Sequence, residues 1–119
     1  MAHVVVIEDD AAVRTVIRRV LARDNHKVRE VTSGIEAMRV CDQDGIDLLI
    51  CDIGLPEVNG YEVAKHCRVS CPECGVLLIS GHLPDELERR KVPGDVEYLQ
   101  KPFGPQQLIE AVNAALGNG

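Results

Sequence analysis

Short apolar runs recur five times along the chain, at residues 4–7, 28–31, 48–51, 76–79 and 96–99. Several of them, such as Val4-Val5-Val6-Ile7 and Leu48-Leu49-Ile50, are nearly unbroken Val, Ile and Leu rather than alternating polar and apolar. A strand that is apolar on both faces must be covered on both faces, which is the condition of a parallel sheet between two helical layers. Helical spacing fills the intervals. Val13, Val16, Ile17, Val20 and Leu21 follow the i, i+3, i+4, i+7, i+8 stripe of an amphipathic helix, with Asp10 placed to cap it. Leu108, Ile109, Val112, Ala115 and Leu116 make a similar stripe, which Gly117 stops. Helices are also predicted near residues 34–42 and 61–69, and a short, highly charged one over 84–91, with Leu83 and Leu87 as its only apolar edge.

Regular alternation of strand and helix predicts a three-layer α/β fold with right-handed crossovers. Five units in 119 residues make an open doubly wound (βα)5 sheet and are too few for a (β/α)8 barrel. No linker or low-complexity tract divides the chain, so one domain over 1–119 is expected, with any output domain absent or cut away. With 3% aromatic residues, its core must be aliphatic. The net charge of −6 argues against a nucleic-acid footprint, which needs a basic surface. No apolar run approaches the ~20 residues of a membrane span. The N-terminus meets Glu8, Asp9 and Asp10 without a basic region before them, unlike a signal peptide. A cytoplasmic location is expected, with reduced thiols as the default state of the five cysteines.

In open α/β sheets, ligands bind beyond the carboxyl ends of the strands. Glu8, Asp9 and Asp10 follow the first run, Asp52 the third, Ser80 and Gly81 the fourth, and Lys101 and Pro102 the fifth. Clustered carboxylates repel unless a cation compensates them, and hard oxygen ligands select Mg2+ or Mn2+. A lysine and a hydroxyl opposite the acids add positive charge and a donor for anionic oxygens. Such a set suits phosphoryl transfer, where catalysis is mainly positioning and charge neutralisation. A carboxylate is the natural nucleophile. Asp52, alone at the end of a central run, is the candidate, and the paired acids are better suited to the metal.

Val4-Val5-Val6-Ile7-Glu8-Asp9-Asp10, Leu48-Leu49-Ile50-Cys51-Asp52-Ile53-Gly54-Leu55-Pro56 with Asn59-Gly60 following, Leu77-Leu78-Ile79-Ser80-Gly81 and Tyr98-Leu99-Gln100-Lys101-Pro102-Phe103 stand in this order along the chain. Together they resemble the receiver domain of two-component response regulators. The resemblance covers essentially the whole chain and implies a flavodoxin-like sheet of order 2-1-3-4-5. It implies that Asp52 accepts the phosphoryl group, that Glu8, Asp9, Asp52 and the backbone carbonyl of Gly54 hold Mg2+, and that Ser80, Lys101 and Tyr98 are catalytic or switch residues. The peptide bond before Pro102 is implied to be cis. A sensor histidine kinase or a phosphotransfer domain is the implied donor, and an output domain or a second copy the implied recipient of the signal. The segment between Leu83 and Gly94, bracketed by Pro84 and Pro93, departs from the family pattern and puts the usual output or dimer surface in doubt.

Other readings compete. A binding module that keeps the fold without using phosphate is disfavoured by the full set of acids, hydroxyl and lysine. A flavin protein would need a Gly- and hydroxyl-rich loop where Glu8-Asp9-Asp10 stands. His66, Cys67, Cys71 and Cys74 have spacing that a structural zinc site can use, although Cys67 falls on an apolar helix face. Cys41 and Cys51 read as core residues.

Overall fold

Each apolar run becomes a strand, and each interval a helix. The computed structural model describes residues 2–117; Met1, Asn118 and Gly119, the ends of the expected 1–119 domain, lie outside the described residues. In chain order the elements are β1 (His3–Ile7), α1 (Ala11–Arg23), β2 (Lys27–Glu30), α2 (Gly34–Asp44), β3 (Leu48–Asp52), α3 (Gly60–Ser70), β4 (Gly75–Ser80), α4 (Glu86–Arg89), β5 (Glu97–Gln100) and α5 (Pro105–Ala115). The strands form one parallel sheet in the order β2-β1-β3-β4-β5, as the resemblance implied.

The two-residue period of the strands divides the core. Val4, Val6, Leu48, Ile50, Leu77 and Ile79 pack with Ile17, Val20 and Leu21 of α1 and Leu108 and Val112 of α5. Val5, Ile7, Leu49, Cys51, Val76 and Leu78 turn the other way, toward Ala37 and Val40 of α2 and Val63 and Ala64 of α3. Both faces of the central strands are therefore dry, and each fully buried aliphatic side chain contributes about 1.5–3 kcal/mol of transfer free energy.

Local chemistry sets the helix starts. The Asp10 carboxylate accepts from the N–H groups of Ala12 and Val13 at 2.9 and 3.1 Å. Ser33 caps α2 and Asn59 caps α3 in the same way, and Pro105 opens α5. The last helix stops as expected, with Gly117 in the left-handed region at φ 76°.

Two expectations are corrected. The charged helix over 84–91 shrinks to Glu86–Arg89, because Asp85 caps it reciprocally with Glu88 and the chain turns away beyond Arg90. The turn that follows is held from α3: the Arg68 guanidinium donates to the carbonyls of Pro93 and Asp95, over Gly94 at φ 81°. The second correction concerns Cys41 and Cys67, expected as separate reduced core residues. They face each other across the α2–α3 contact with Cα atoms 5.6 Å apart, and are joined in a disulfide.

Gly60 ties the sheet to the site. A Cβ there would stand 2.6 Å from the carbonyl oxygen of Asp52 and 2.7 Å from Cα of Ile53, both backbone atoms. The close approach lets the Gly60 N–H donate to the Ile53 carbonyl at 3.1 Å and starts α3 against the end of β3. Gly60→Ala is expected to cost about 1–3 kcal/mol, the usual range for overpacking, read as a lower urea midpoint at unchanged slope. An unchanged midpoint would mean that the β3–α3 turn is not closely constrained.

Candidate functional site

The carboxyl ends of β1, β3, β4 and β5 lie side by side, so the residues that end them share one rim. Glu8 follows β1 and is almost fully buried; Asp52 ends β3 and Ser80 ends β4, both also buried, while Asp9 is exposed. Lys101 follows β5, fixed by its backbone N–H, which donates to the Ser80 carbonyl at 2.8 Å, and followed by a cis bond to Pro102. Its ammonium donates at 3.0 Å to Glu8 Oε1 and at 3.0 Å to Asp52 Oδ2. One lysine thus bridges residues 93 and 49 positions away along the chain.

The acids converge. Glu8, Asp9 and Asp52 each offer a carboxylate oxygen, and these oxygens lie within 4.8 Å of one another. Asp52 Oδ1 accepts from the N–H of Gly54 at 2.9 Å. Glu8 Oε1 also accepts from the N–H of Asp10 at 3.1 Å, but Glu8 Oε2 is buried with no hydrogen-bond partner. An orphaned carboxylate oxygen beside two other acids is a ready ligand atom for a hard cation, so the residues present fit a divalent ion.

Burial pushes the Glu8 carboxyl up to about 7. The Lys101 hydrogen bond and the Asp10 N–H oppose that rise, and the charge of Asp52 adds to it. Burial alone would lower Lys101, but the hydrogen bonds and charges of Glu8 and Asp52 outweigh it and hold the ammonium above the ordinary lysine range. Next to Asp52, the Cys51 thiol is pushed far up by burial and by the adjacent carboxylates. It is no nucleophile, since reactivity needs the thiolate.

Five expected residues, Glu8, Asp9, Asp52, Ser80 and Lys101, therefore meet at one end of the sheet. The Ser80 hydroxyl accepts from the N–H of His82 at 3.3 Å. Gly54 lies at the edge of the cluster, its N–H already on Asp52. Tyr98 is not among them. Its half-buried ring packs against the α2–α3 core, under the Arg89 guanidinium at 4.4 Å, and its hydroxyl is buried without a partner.

One contributor was not anticipated from the sequence. Arg14, in the second turn of α1, donates to the Glu8 carbonyl at 2.8 Å and faces Glu30 at 3.9 Å. It steadies the acidic loop from behind and lines a cleft of about 320 Å3 between the β1–α1, β2–α2 and β3–α3 loops. Its six-residue spacing from Glu8 carries no recognisable signal.

The cysteine cluster does not assemble. His66 is engaged by Asp42 at 2.8 Å, the Cys71 thiol points to the Ile46 carbonyl and the Cys74 thiol to the Cys67 carbonyl. Burial raises the Cys74 thiol, which works against the thiolate a metal needs.

The family model described as the response regulator receiver domain matches residues 4–113. Sensor kinase CckA of Brucella abortus is 31% identical over 97% of this chain, which spans 12% of that protein. Transcriptional regulatory protein SpaR of Bacillus subtilis is 29% identical over 98% of this chain, which spans 52% of it. The chain thus spans about half, or much less, of these curated relatives. Among solved structures, a response regulator receiver protein from Sinorhizobium medicae superposes with a TM-score of 0.85 at 30% identity, covering 97% of this chain and 94% of that one.

Proposed function

Because this chain belongs to the response regulator receiver domain family, we propose that it works as a single phosphoacceptor switch over residues 1–119, with Asp52 as the acceptor. It is a receiver domain of two-component signalling. The observation that carries the assignment to Asp52 is the contact of its carboxylate with the Lys101 ammonium, inside a cluster of three acids.

The chemistry is a displacement at phosphorus. A carboxylate oxygen of Asp52 attacks the phosphoryl group of a donor phosphohistidine, the phosphorus–nitrogen bond breaks, and the leaving imidazole takes up a proton. An acyl phosphate remains on Asp52. Its new oxygens arise beside the Lys101 ammonium and the Ser80 hydroxyl, which offer charge and a donor where negative charge accumulates. Lys101 must give up part of its contact with Glu8 and Asp52 to serve them.

Glu8, Asp9 and Asp52 would hold Mg2+ or Mn2+, joined by the backbone carbonyl of Gly54. The ion supplies charge neutralisation at the phosphoryl oxygens. Lys101 and Ser80 then favour one of two pre-existing surface conformations, with Tyr98 as the switch aromatic. The same groups promote both the acceptor's own phosphorylation and its slow hydrolysis. The donor is a sensor histidine kinase or a phosphotransfer domain, and the recipient an output domain or a second copy. The work is cytoplasmic, without direct contact to nucleic acid or membrane; among the described residues no helix is long and apolar enough to cross a membrane.

Incubation with acetyl phosphate and Mg2+ is expected to add the mass of one phosphoryl group to the intact protein. The gain disappears with a chelator and in Asp52→Asn. A wild type that gains nothing, or an Asp52→Asn variant that gains as much, overturns the reading.

A further inference from the structure

Four of the five cysteines gather where α2 and α3 end. The Cys41–Cys67 disulfide joins the last turns of the two helices. Cys71 caps α3 one turn beyond Cys67, with its N–H on the Cys67 carbonyl at 2.8 Å. The Cys74 thiol is turned toward that same carbonyl at 3.9 Å. This end of the helices lies where β3 and β4 begin, across the length of the sheet from the rim that holds Asp52. The phosphoryl chemistry uses none of these residues.

Burial sorts the four. Cys41 and Cys67 are 3% and 0% exposed, so no external thiol reaches either sulfur in the closed fold. Cys74 is also buried, and burial raises its thiol away from the reactive thiolate. Cys71 is half-exposed and opens onto a cavity of about 570 Å3 that it lines with His3, Gly45, Ile46 and Asp47. Residues four apart on a helix hold their Cβ atoms about 5–6 Å from each other, and a helix end frays at little cost. The Cys71 sulfur is thus within reach of Cys67 from the solvent side. Both states of the pair suit the fold. A Cα separation of 5.6 Å is an ordinary span for a disulfide. Two thiols in the same place pack as small hydrophobes among the aliphatic side chains of the α2–α3 layer. A disulfide in a cytosolic chain is usually transient or redox-sensing, a point that rests on the cytoplasmic location proposed above.

We infer that the ends of α2 and α3 form a thiol–disulfide exchange site, in which Cys41–Cys67 is a reversible staple and Cys71 is the thiol through which a small thiol of the glutathione class opens and closes it. Attack of the Cys71 thiolate on Sγ of Cys67 forms a Cys67–Cys71 bond and releases Cys41, which takes up a proton. An external thiol, as its thiolate, then attacks the Cys71 sulfur and frees Cys67, which is protonated in turn. A second external thiol removes the first as its disulfide and regenerates Cys71. Two electrons have passed from two external thiols to the pair, and the reverse sequence, starting from the external disulfide, closes it. The closed form ties α2 to α3 and restricts the unfolded chain, so the redox state sets the stability of this layer.

The exchange needs no phosphate, so its test stands apart from that of Asp52. Alkylation in denaturant followed by intact mass reads the state: three thiols react when the staple is closed and all five cysteines when it is open. The wild type is expected to move reversibly between the two counts as the ratio of reduced to oxidised glutathione is varied. Opening should lower the thermal midpoint by about 10 °C, because it releases a cross-link between residues 26 positions apart. Cys71→Ser, at a half-exposed position, should slow opening by reduced glutathione by about tenfold or more and leave the final ratio of open to closed protein unchanged. A purely structural loss at this position would instead loosen the helix end and speed opening. A count fixed at three or at five over the whole range of glutathione ratios, or an opening rate that Cys71→Ser leaves unchanged or raises, overturns the inference.

Discussion

Lys101→Met is expected to change two measured quantities in opposite directions: Mg2+ binding tightens by about tenfold, while the rate of phosphorylation by acetyl phosphate falls by about 10²–10³. The first effect follows from the metal-free geometry. The ammonium lies 3.0 Å from Glu8 and 3.0 Å from Asp52, and so occupies part of the electrostatic role an ion would take. Any divalent cation that binds Glu8, Asp9 and Asp52 competes with it. Removing the ammonium leaves the three carboxylates uncompensated and raises the demand for a cation. The second effect follows because the acyl phosphate on Asp52 then develops charge with no ammonium beside it. Calorimetric titration with Mg2+ and a mass time course separate the two. Lys101→Arg keeps the charge but replaces a compact point charge with a planar fork, so it should recover only part of the rate. Should Lys101→Met lose metal binding and phosphorylation together, the lysine acts through packing alone and the assignment fails.

The amino-acid sequence makes some of these site residues legible and leaves others hidden. Asp52, Glu8 and Ser80 end apolar runs, and the parallel sheet carries every such end to one rim, so their meeting follows from periodicity plus topology. The same reasoning puts Lys101 on that rim but says nothing of its bridge between Glu8 and Asp52, which depends on side-chain reach. The β2 boundary lies one residue earlier than its apolar run, at Lys27–Glu30, because an edge strand with little buried surface has weak apolar patterning; Val31 still donates to the Val6 carbonyl just beyond it. α4 is shorter than its sequence implies because its charges fit a helix at every position, and the reciprocal cap of Asp85 and Glu88 decides where it starts. The Cys41–Cys67 pairing depends on how α2 and α3 are rotated against each other, and nothing local to either cysteine encodes that. Tyr98 can be placed on a strand, but not its packing under Arg89, since the partner comes from the one helix with the least apolar signal.

The buried carboxyl of Glu8 makes stability depend on pH in a direction opposite to that of most carboxylates, and a metal ion should remove the dependence. Burial raises its pKa from 4.5 to about 7, so the folded protein holds this proton more tightly than the unfolded chain does. The stabilisation is fully present below about pH 4.5 and is lost as pH rises through 7. At about 1.4 kcal/mol per pKa unit, the loss is of the order of 2–3 kcal/mol between pH 5 and pH 8, a large part of the stability of a small domain. Urea unfolding in the presence of a chelator should show that decline, and Glu8→Gln should flatten it. A divalent ion such as Mg2+ would bind the ionised form, which has the unpartnered Oε2 to offer. Its stabilising effect at a fixed concentration is therefore larger at pH 8 than at pH 5.5, and enough ion brings the two curves together. A metal-free protein equally stable at both pH values would mean that Lys101 already keeps Glu8 ionised in the fold. The cluster would then be preformed as a triply charged site, and Mg2+ affinity would be nearly independent of pH over the same range.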